Sequence, residues 1–532
     1  MRKRMKAMSL LLAAAVAVAP LAAAAEGTVD ESRKSTANSD EKYEKLVVAI
    51  GSDPQDLLPC NYNTGDRKYI FKLIYQTLFW ENGTDVYEPL IGKNYTEVDD
   101  LHCDVEIYDN VYDSAGNHIT ADDVVYSYNY LQETGYAVKY DYYESVEKVD
   151  DYTVRFTWTK PITSLSALQA IWGTTIIFSQ KAFEEGNFAT EPVGTGRYVV
   201  DSFTSGSSVV CSVNENYWQE DELAESEIVQ ANVQTIEFDV IAEAAQQVIA
   251  LQNGTVDFVA SVSADSIGDF QEGGAYADQY SVISELNGQW WYITPNQLEG
   301  HVGNDINFRL AVYYALNNEA IATAVGNCEP MVTIGSSYQT DIPAEWFEEE
   351  TYINTFDPEL AKEYLDKSSY NGETLKLMGD NSANAKNALT MIQALLKNVG
   401  IETELAIVEA NLLPNYCADE TAWDLYVTYG AGGANMINGL NRILNKKEYG
   451  NDMAFGFVAD DTLEETFQTA YSLEGHTDEN MTALKNYILE NAYHDFLFAP
   501  YQNMIASADI AEVAFFPGGI QPNFSSFTFY LE

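Results

Sequence analysis

Residues 235–260 restrict the possible folds more than any other stretch of the chain. "TIEFDVI" alternates apolar and polar residues as a strand does, "AEAAQQVIALQNG" continues as a helix to a stop at Gly254, and "TVDFVA" is a second strand. A strand, a helix and a strand in close succession predict a parallel α/β unit, because parallel neighbours need a crossover between them. The same order returns after the midpoint. Asp357-Pro358 starts the helix "ELAKEYLDKS" with proline at its first position; "TLKLMG" is a strand, "NALTMIQALLKNVG" a helix ended by Gly400, and "IETELAIV" another strand. "LVVAI" (46–50) reads as a first buried strand, and Thr120 with Asp123 predicts a capping box opening a helix at residue 121. At 532 residues the chain exceeds a single core, so the alternation predicts an α/β protein of two lobes.

The N-terminus states a compartment. Arg2, Lys3, Arg4 and Lys6 precede an apolar run from Met8 to Ala22 and the small residues Ala23-Ala24-Ala25, the pattern of a cleaved secretory signal over residues 1–25. No cysteine follows that site, so no lipid anchor is expected, and no later run is long and apolar enough to span a bilayer. Residues 26–44 are polar and read as a disordered leader. The charge is extreme, with 28 basic and 81 acidic residues and a net −53. Such a surface repels nucleic acid and anionic headgroups.

Chemistry-bearing patterns are scarce. Cys60, Cys103, Cys211, Cys328 and Cys417 are widely spaced without a C-x-x-C pair, which argues against a metal cluster. Disulfides are permitted outside the cytoplasm, but the odd count leaves at least one thiol unpaired and the pairing undetermined. There is no G-x-S-x-G, H-E-x-x-H or EF-hand pattern. The two S-x-x-K matches, at Ser39 and Ser145, fall in the leader and in a charged turn, and the five histidines are scattered. The expectation is a protein without enzymatic activity, cofactor or metal, although a carboxylate pair brought together by folding, as in a glycosidase, is open to a sequence with so many acids.

Six segments, in order, carry a family resemblance. "TADDVVYSYNYL" is similar to T-A-x-D-V-x-x-S, "PVGTGRYVVDSF" (192–203) to P-V-G-T-G-P-Y with Arg197 in place of proline, and "NENYW" (214–218) to N-x-x-Y-W. "AAQQVIALQNGTVDF", "NDINFRLAVYYALNNEAI" (304–321) and "FDPELAKEYL" are similar to three further motifs of the same set. Together they resemble the extracellular solute-binding proteins of bacterial ABC importers, in the peptide/nickel-binding group, from about residue 46 onward. The resemblance implies a two-lobed periplasmic-binding-protein-like fold of type II, with an inserted subdomain and a ligand cleft between the lobes. The expected division is lobe I from 45–88, 192–290 and 500–532, the insertion at 89–191, and lobe II at 291–499. It also implies a monomer that captures a small solute, peptide or peptide-like or alternatively an oligosaccharide, and delivers it to ABC permease subunits. A sensor reporting to a membrane kinase would use the same fold. Asp305 and Arg309 read as architecture at a helix start, since charges there usually cap.

The stretch "YVTYGAGGANMI" (426–437) lies where the resemblance implies a cleft loop. It is not a nucleotide loop: G-x-G-x-x-G would need glycine where Asn435 stands, and no P-loop lysine follows. The family's loop is W-x-A-D-Y-x-D-P, whose first aspartate pairs with a peptide's α-ammonium. Matching Tyr429-Gly430-Ala431 to W-x-A puts Gly432 at that aspartate and Asn435 at the second acid, with Gly433 between them. The glycines are expected to clear backbone N–H groups and space without a fixed anion. Free peptides are therefore expected to bind more weakly than N-blocked peptides, oligosaccharides or anionic metabolites. By the same carry-over Trp290, Trp291 and Asn296 in "GQWWYITPN" and Tyr501 in "FAPYQN" are candidates at the crossings between lobes. Strand alternation allows at most one tryptophan to face a ligand.

Overall fold

The structure is a computed structural model that describes residues 29–30, 32–61, 65–81, 87–134, 142–162, 168, 171–219, 230–337, 339, 342–348, 356–431, 436–444, 460–472, 474–516 and 521–531. Segments with alternating apolar residues become a 12-stranded sheet. In one half Tyr43–Ile50 lies parallel between Val233–Val240 and Phe258–Val262. The strand–helix–strand unit of 235–260 is therefore parallel as expected, with the first strand of the chain inserted between its two strands. Ser208–Val213 and Tyr198–Thr204 extend this half antiparallel. In the other half Leu375–Asp380 pairs parallel with both Thr403–Val408 and Leu425–Ala431, and Gln289–Pro295 follows antiparallel.

The 13-residue strand Asp495–Ser507 joins the halves. Its first part pairs with Gln289–Pro295, where Trp291 faces Phe498; its later part pairs with Tyr280–Leu286 from Leu286↔Tyr501 to Tyr280↔Ser507. Among the described residues the chain thus passes between halves at Asn287-Gly288 and along 498–503. A short strand, Cys328–Pro330, pairs with Phe498–Pro500 at this junction. A separate four-stranded antiparallel sheet, Gly92–Asp99, His102–Ile107, Thr153–Trp158 and Tyr143–Asp150, carries the helix Ala121–Glu133. Val105, Val124, Tyr128, Phe156 and Trp172 share its core.

Local rules hold where they were strongest. Thr120 and Asp123 make both bonds of the capping box, Asp357 caps the helix opened by Pro358, and Gly400 ends Ala383–Val399 at φ 98°. Gly194 and Gly196 serve close approach: a Cβ on them would lie 1.9 Å from the Ile74 carbonyl oxygen and 2.3 Å from that of Leu73. No described helix is long and apolar enough to cross a membrane.

One sequence reading changes. Residues 32–42 are not a disordered leader. Ser35 bridges Tyr530, the Thr36 N–H donates to the Phe529 carbonyl at 2.9 Å, and the Leu531 N–H donates to that of Lys34 at 2.9 Å. Backbone pairing with the C-terminus orders a segment whose composition shows no core of its own. The signal segment 1–25 lies outside the described residues. All five cysteines are free; Cys103, Cys211 and Cys417 are buried in three different cores.

Candidate functional site

Period-two alternation sends the two tryptophans of Gln289–Pro295 to opposite faces. Trp290 packs with Tyr292, Trp346 and Met436, whereas Trp291 packs with Ile293, Leu377 and Phe498. Both are buried, each a large apolar surface withdrawn from water. Trp291 stacks on Phe498 at 5.2 Å and lies 5.3 Å from the ring of Tyr429, which is 42% exposed. Tyr429 is therefore the accessible end of an aromatic stack rooted in the core. Neither indole N–H finds an acceptor among the described residues.

Gly430 corrects part of the sequence reading. It clears no open space: a Cβ there would lie 2.0 Å from Trp290 Nε1, so its missing side chain seats the indole. Gly432, Gly433 and Asn435 lie outside the described residues. Asn296 is also corrected. Fully buried, its Nδ2 donates to the carbonyls of Glu420 (2.9 Å) and Trp423 (3.2 Å), and its Oδ1 accepts from the Leu298 N–H. Its polar atoms are spent fastening a strand end to the turn before Leu425–Ala431. Asp424, the nearest acid preceding the loop, accepts the Lys376 N–H at 2.8 Å.

Tyr501 is half-buried on the later crossing. Its backbone exchanges hydrogen bonds with Asn327, and its hydroxyl donates to Glu329 Oε2 at 3.0 Å. Burial raises the pKa of Glu329, partly opposed by that hydroxyl, and burial also raises that of Glu285 on Tyr280–Leu286. Sequence reasoning missed these two carboxylates. Glu329 reaches the junction only because Cys328–Pro330 pairs with a strand some 170 residues later, which no local pattern signals. Asp305 and Arg309 are architecture, as read. Asp305 accepts the N–H groups of Asn307 and Ser369, and Arg309 donates to the carbonyls of Gly303, Asn304, Asn491 and Ala492. Among the described residues no three His, Cys, Asp or Glu gather as a metal site.

A family model described as "Bacterial extracellular solute-binding proteins, family 5 Middle" matches residues 86–451. The chain is 25% identical over 452 residues to the oligopeptide-binding protein AppA of Bacillus subtilis, covering 77% of this chain and 78% of that one. It is 23% identical over 441 residues to heme-binding protein A of Haemophilus influenzae, covering 75% and 76%. Among solved structures, HbpA2 from Haemophilus parasuis superposes with a TM-score of 0.78 at 17% identity, over 92% of this chain and all of that one.

Proposed function

The chain belongs to family 5 of the bacterial extracellular solute-binding proteins, and from that premise we propose that it captures a peptide or peptide-like solute between two lobes and hands it to an ABC permease. The match over residues 86–451 carries the reading, and the 13-residue strand shared by both sheet halves supports it. Two halves joined by crossing strands can hinge about a solute, as periplasmic binding proteins do. The relatives are named for what they bind, not for a reaction.

The finer assignments belong to the same proposal. Lobe I comprises 45–88, 192–290 and 500–532, the insertion 89–191, and lobe II 291–499; the independent antiparallel sheet between residues 92 and 158 supports the insertion. Residues 1–25 are a cleaved export signal, and the mature protein is a monomer. Tyr429, on its Trp291 base, Tyr501 and the loop of Gly432, Gly433 and Asn435 contact the solute. Trp290 seats against Gly430 near the end of Leu425–Ala431.

Calorimetry with matched free and N-acetylated di- to pentapeptides and a set of oligosaccharides tests the ligand class. Peptides bind, and N-acetylated forms bind at least as tightly as free ones, because no acid stands at position 432 and a buried ammonium without a carboxylate is costly. Ligand raises the melting temperature by mass action and reduces the radius of gyration in small-angle scattering. Tight binding of free peptides that is lost on acetylation would refute the inference from Gly432 and move the ammonium to another acid, Glu329 first. Binding of oligosaccharides alone would refute the peptide reading.

A further inference from the structure

Away from the strand crossings, the antiparallel sheet between residues 92 and 158 carries a cavity of ≈ 350 Å³ beside its edge strand Gly92–Asp99. Register decides what reaches it. Tyr95 lies opposite Val105 and Glu97 opposite Cys103, so both share the face on which Cys103, Val105, Phe156 and Trp158 are buried. The pairing slips between Glu97 and Asp99, which leaves Val98 as an extra, exposed residue on the rim. Trp158 and Leu168 give the cavity buried apolar surface, and Tyr95, which lies 4.9 Å from the Trp172 ring, stays 39% exposed at its edge. The acids here are Glu97, Asp99 and Asp100, and among the described residues no lysine or arginine lines the cavity. Asp99 is engaged by His102 Nδ1 at 2.7 Å and by the Leu101 N–H at 2.9 Å. The Glu97 carboxylate has no hydrogen bond or ion pair among the described residues. It stands close enough to Cys103 to add to burial in pushing that thiol up to about 12. On the opposite face the acids are matched: Asp104 pairs with Arg155 at 2.7 Å and Glu106 with Lys93 at 2.8 Å.

Acids alone mark no site on a chain of net −53. Here an unmatched carboxylate, an aromatic and aliphatic lining and room for a molecule coincide. The volume lies at the lower end of cavities that take small ligands. The Trp158 indole is 3% exposed, and its N–H has no acceptor among the described residues, so the lining also keeps one donor for a hydroxyl or carbonyl oxygen. Tyrosine and tryptophan rings attract organic cations, and a carboxylate beside them adds a charge-assisted hydrogen bond to an ammonium. Three acids against one histidine disfavour an anion. We propose that this cavity is a second binding site, for a small organic cation: a protonated amine on a one-ring body, with its nitrogen at Glu97 and its ring against Trp158 and Leu168. The site is independent of solute capture at the strand crossings.

The test uses the full mature chain at low salt. Tyramine, its neutral N-acetyl form, the anion 4-hydroxyphenylacetate and ammonium chloride are titrated by calorimetry, with thermal shift alongside. Tyramine is expected to bind at least about tenfold tighter than the other three, because it alone joins a positive charge to a ring. Glu97→Gln, at an exposed position, weakens tyramine binding at least about threefold, and added salt weakens it in the wild type but little in the variant. Leu168→Trp, which fills the cavity, abolishes it. Far-UV circular dichroism confirms that each variant is folded, and the Glu97→Gln result decides where Leu168→Trp is not. Tyramine binding no tighter than that of its N-acetyl form, of the anion or of ammonium, or binding unchanged in Glu97→Gln, overturns the proposal. Loss of tyramine binding in Tyr429→Ala with retention in Glu97→Gln also overturns it, by moving the amine to the strand crossings, and that outcome leaves the solute-capture reading standing.

Discussion

Arg309 and the Lys72–Arg197 cavity, between the helix Arg67–Ile74 and the turn 194–197, place cations in half-buried or buried surroundings and treat them in opposite ways. Around Arg309 a guanidinium is wrapped by four backbone carbonyls at a helix start, and its ring neighbour Tyr493 lies 5.5 Å away. Around Lys72 and Arg197 aromatic rings take the place of carbonyls: Lys72 keeps a hydrogen bond to the Gln521 side-chain oxygen, and Arg197 Nε has no acceptor among the described residues. A buried charge with all its donors satisfied is a fastening. One with donors unsatisfied raises the energy of the folded protein.

The comparison makes Arg309→Met the most damaging change. It leaves carbonyls of Gly303, Asn304, Asn491 and Ala492 without their donor, and about 3–5 kcal/mol of stability is expected to go, read as a fall in the urea midpoint. A loss below about 1 kcal/mol would show that water replaces the guanidinium and would erase the contrast.

Asp495 extends the comparison to anions. It is fully buried, no side chain among the described residues pairs with its carboxylate, and burial raises its pKa, partly opposed by the Phe496 N–H. A group with a raised folded pKa contributes stability that is present below its unfolded value, near 3.9, and lost as pH rises through the folded value. Asp495→Asn is therefore expected to stabilise the protein by up to about 3 kcal/mol at pH 8 and by little at pH 3.5. Urea unfolding at the two pH values checks both the sign and the difference. The adjacent His494 runs the other way. Burial first, then Arg309, holds it down to about 3, so below about 6.5 the unfolded chain takes up a proton that the folded one refuses, and stability falls with pH toward 3.

Lys72→Met is expected to add about 1–2 kcal/mol at pH 6, since it removes an unpaired cation and keeps the stem. Wild-type stability gains as pH rises from about 7 toward 10.5, where the folded state has already given up the proton that the unfolded chain still holds. The advantage of the variant should narrow over that range. A constant gap would mean that Lys72 acts through packing alone. The smallest effect is Asp305→Ala, about 1 kcal/mol for a lost helix cap, with Arg309 left to hold the segment.

The element boundaries that were legible in the residues are those whose signals are local. A capping box, a proline at the first helical position and a glycine past the last turn act within a few residues, and Thr120, Pro358 and Gly400 behave accordingly. The opposed faces of Trp290 and Trp291 were legible for the same reason. What lies against those faces was not. That Gly430 yields its space to an indole, and that Asn296 spends its amide on a turn more than 120 residues away, depends on strand pairing.

The sequence by itself determined two α/β halves, their parallel units and the family of the chain, because periodicity and short motifs survive without knowledge of neighbours. Only the tertiary structure decided where charges and segments end up. It brought the polar stretch 32–42 onto the C-terminus, Glu329 onto a strand crossing, and Lys72 and Arg197 onto the walls of one cavity. Each of these outcomes joins residues more than 100 positions apart. The energy that selects them comes from desolvation and pairing between distant groups, to which a local pattern is blind.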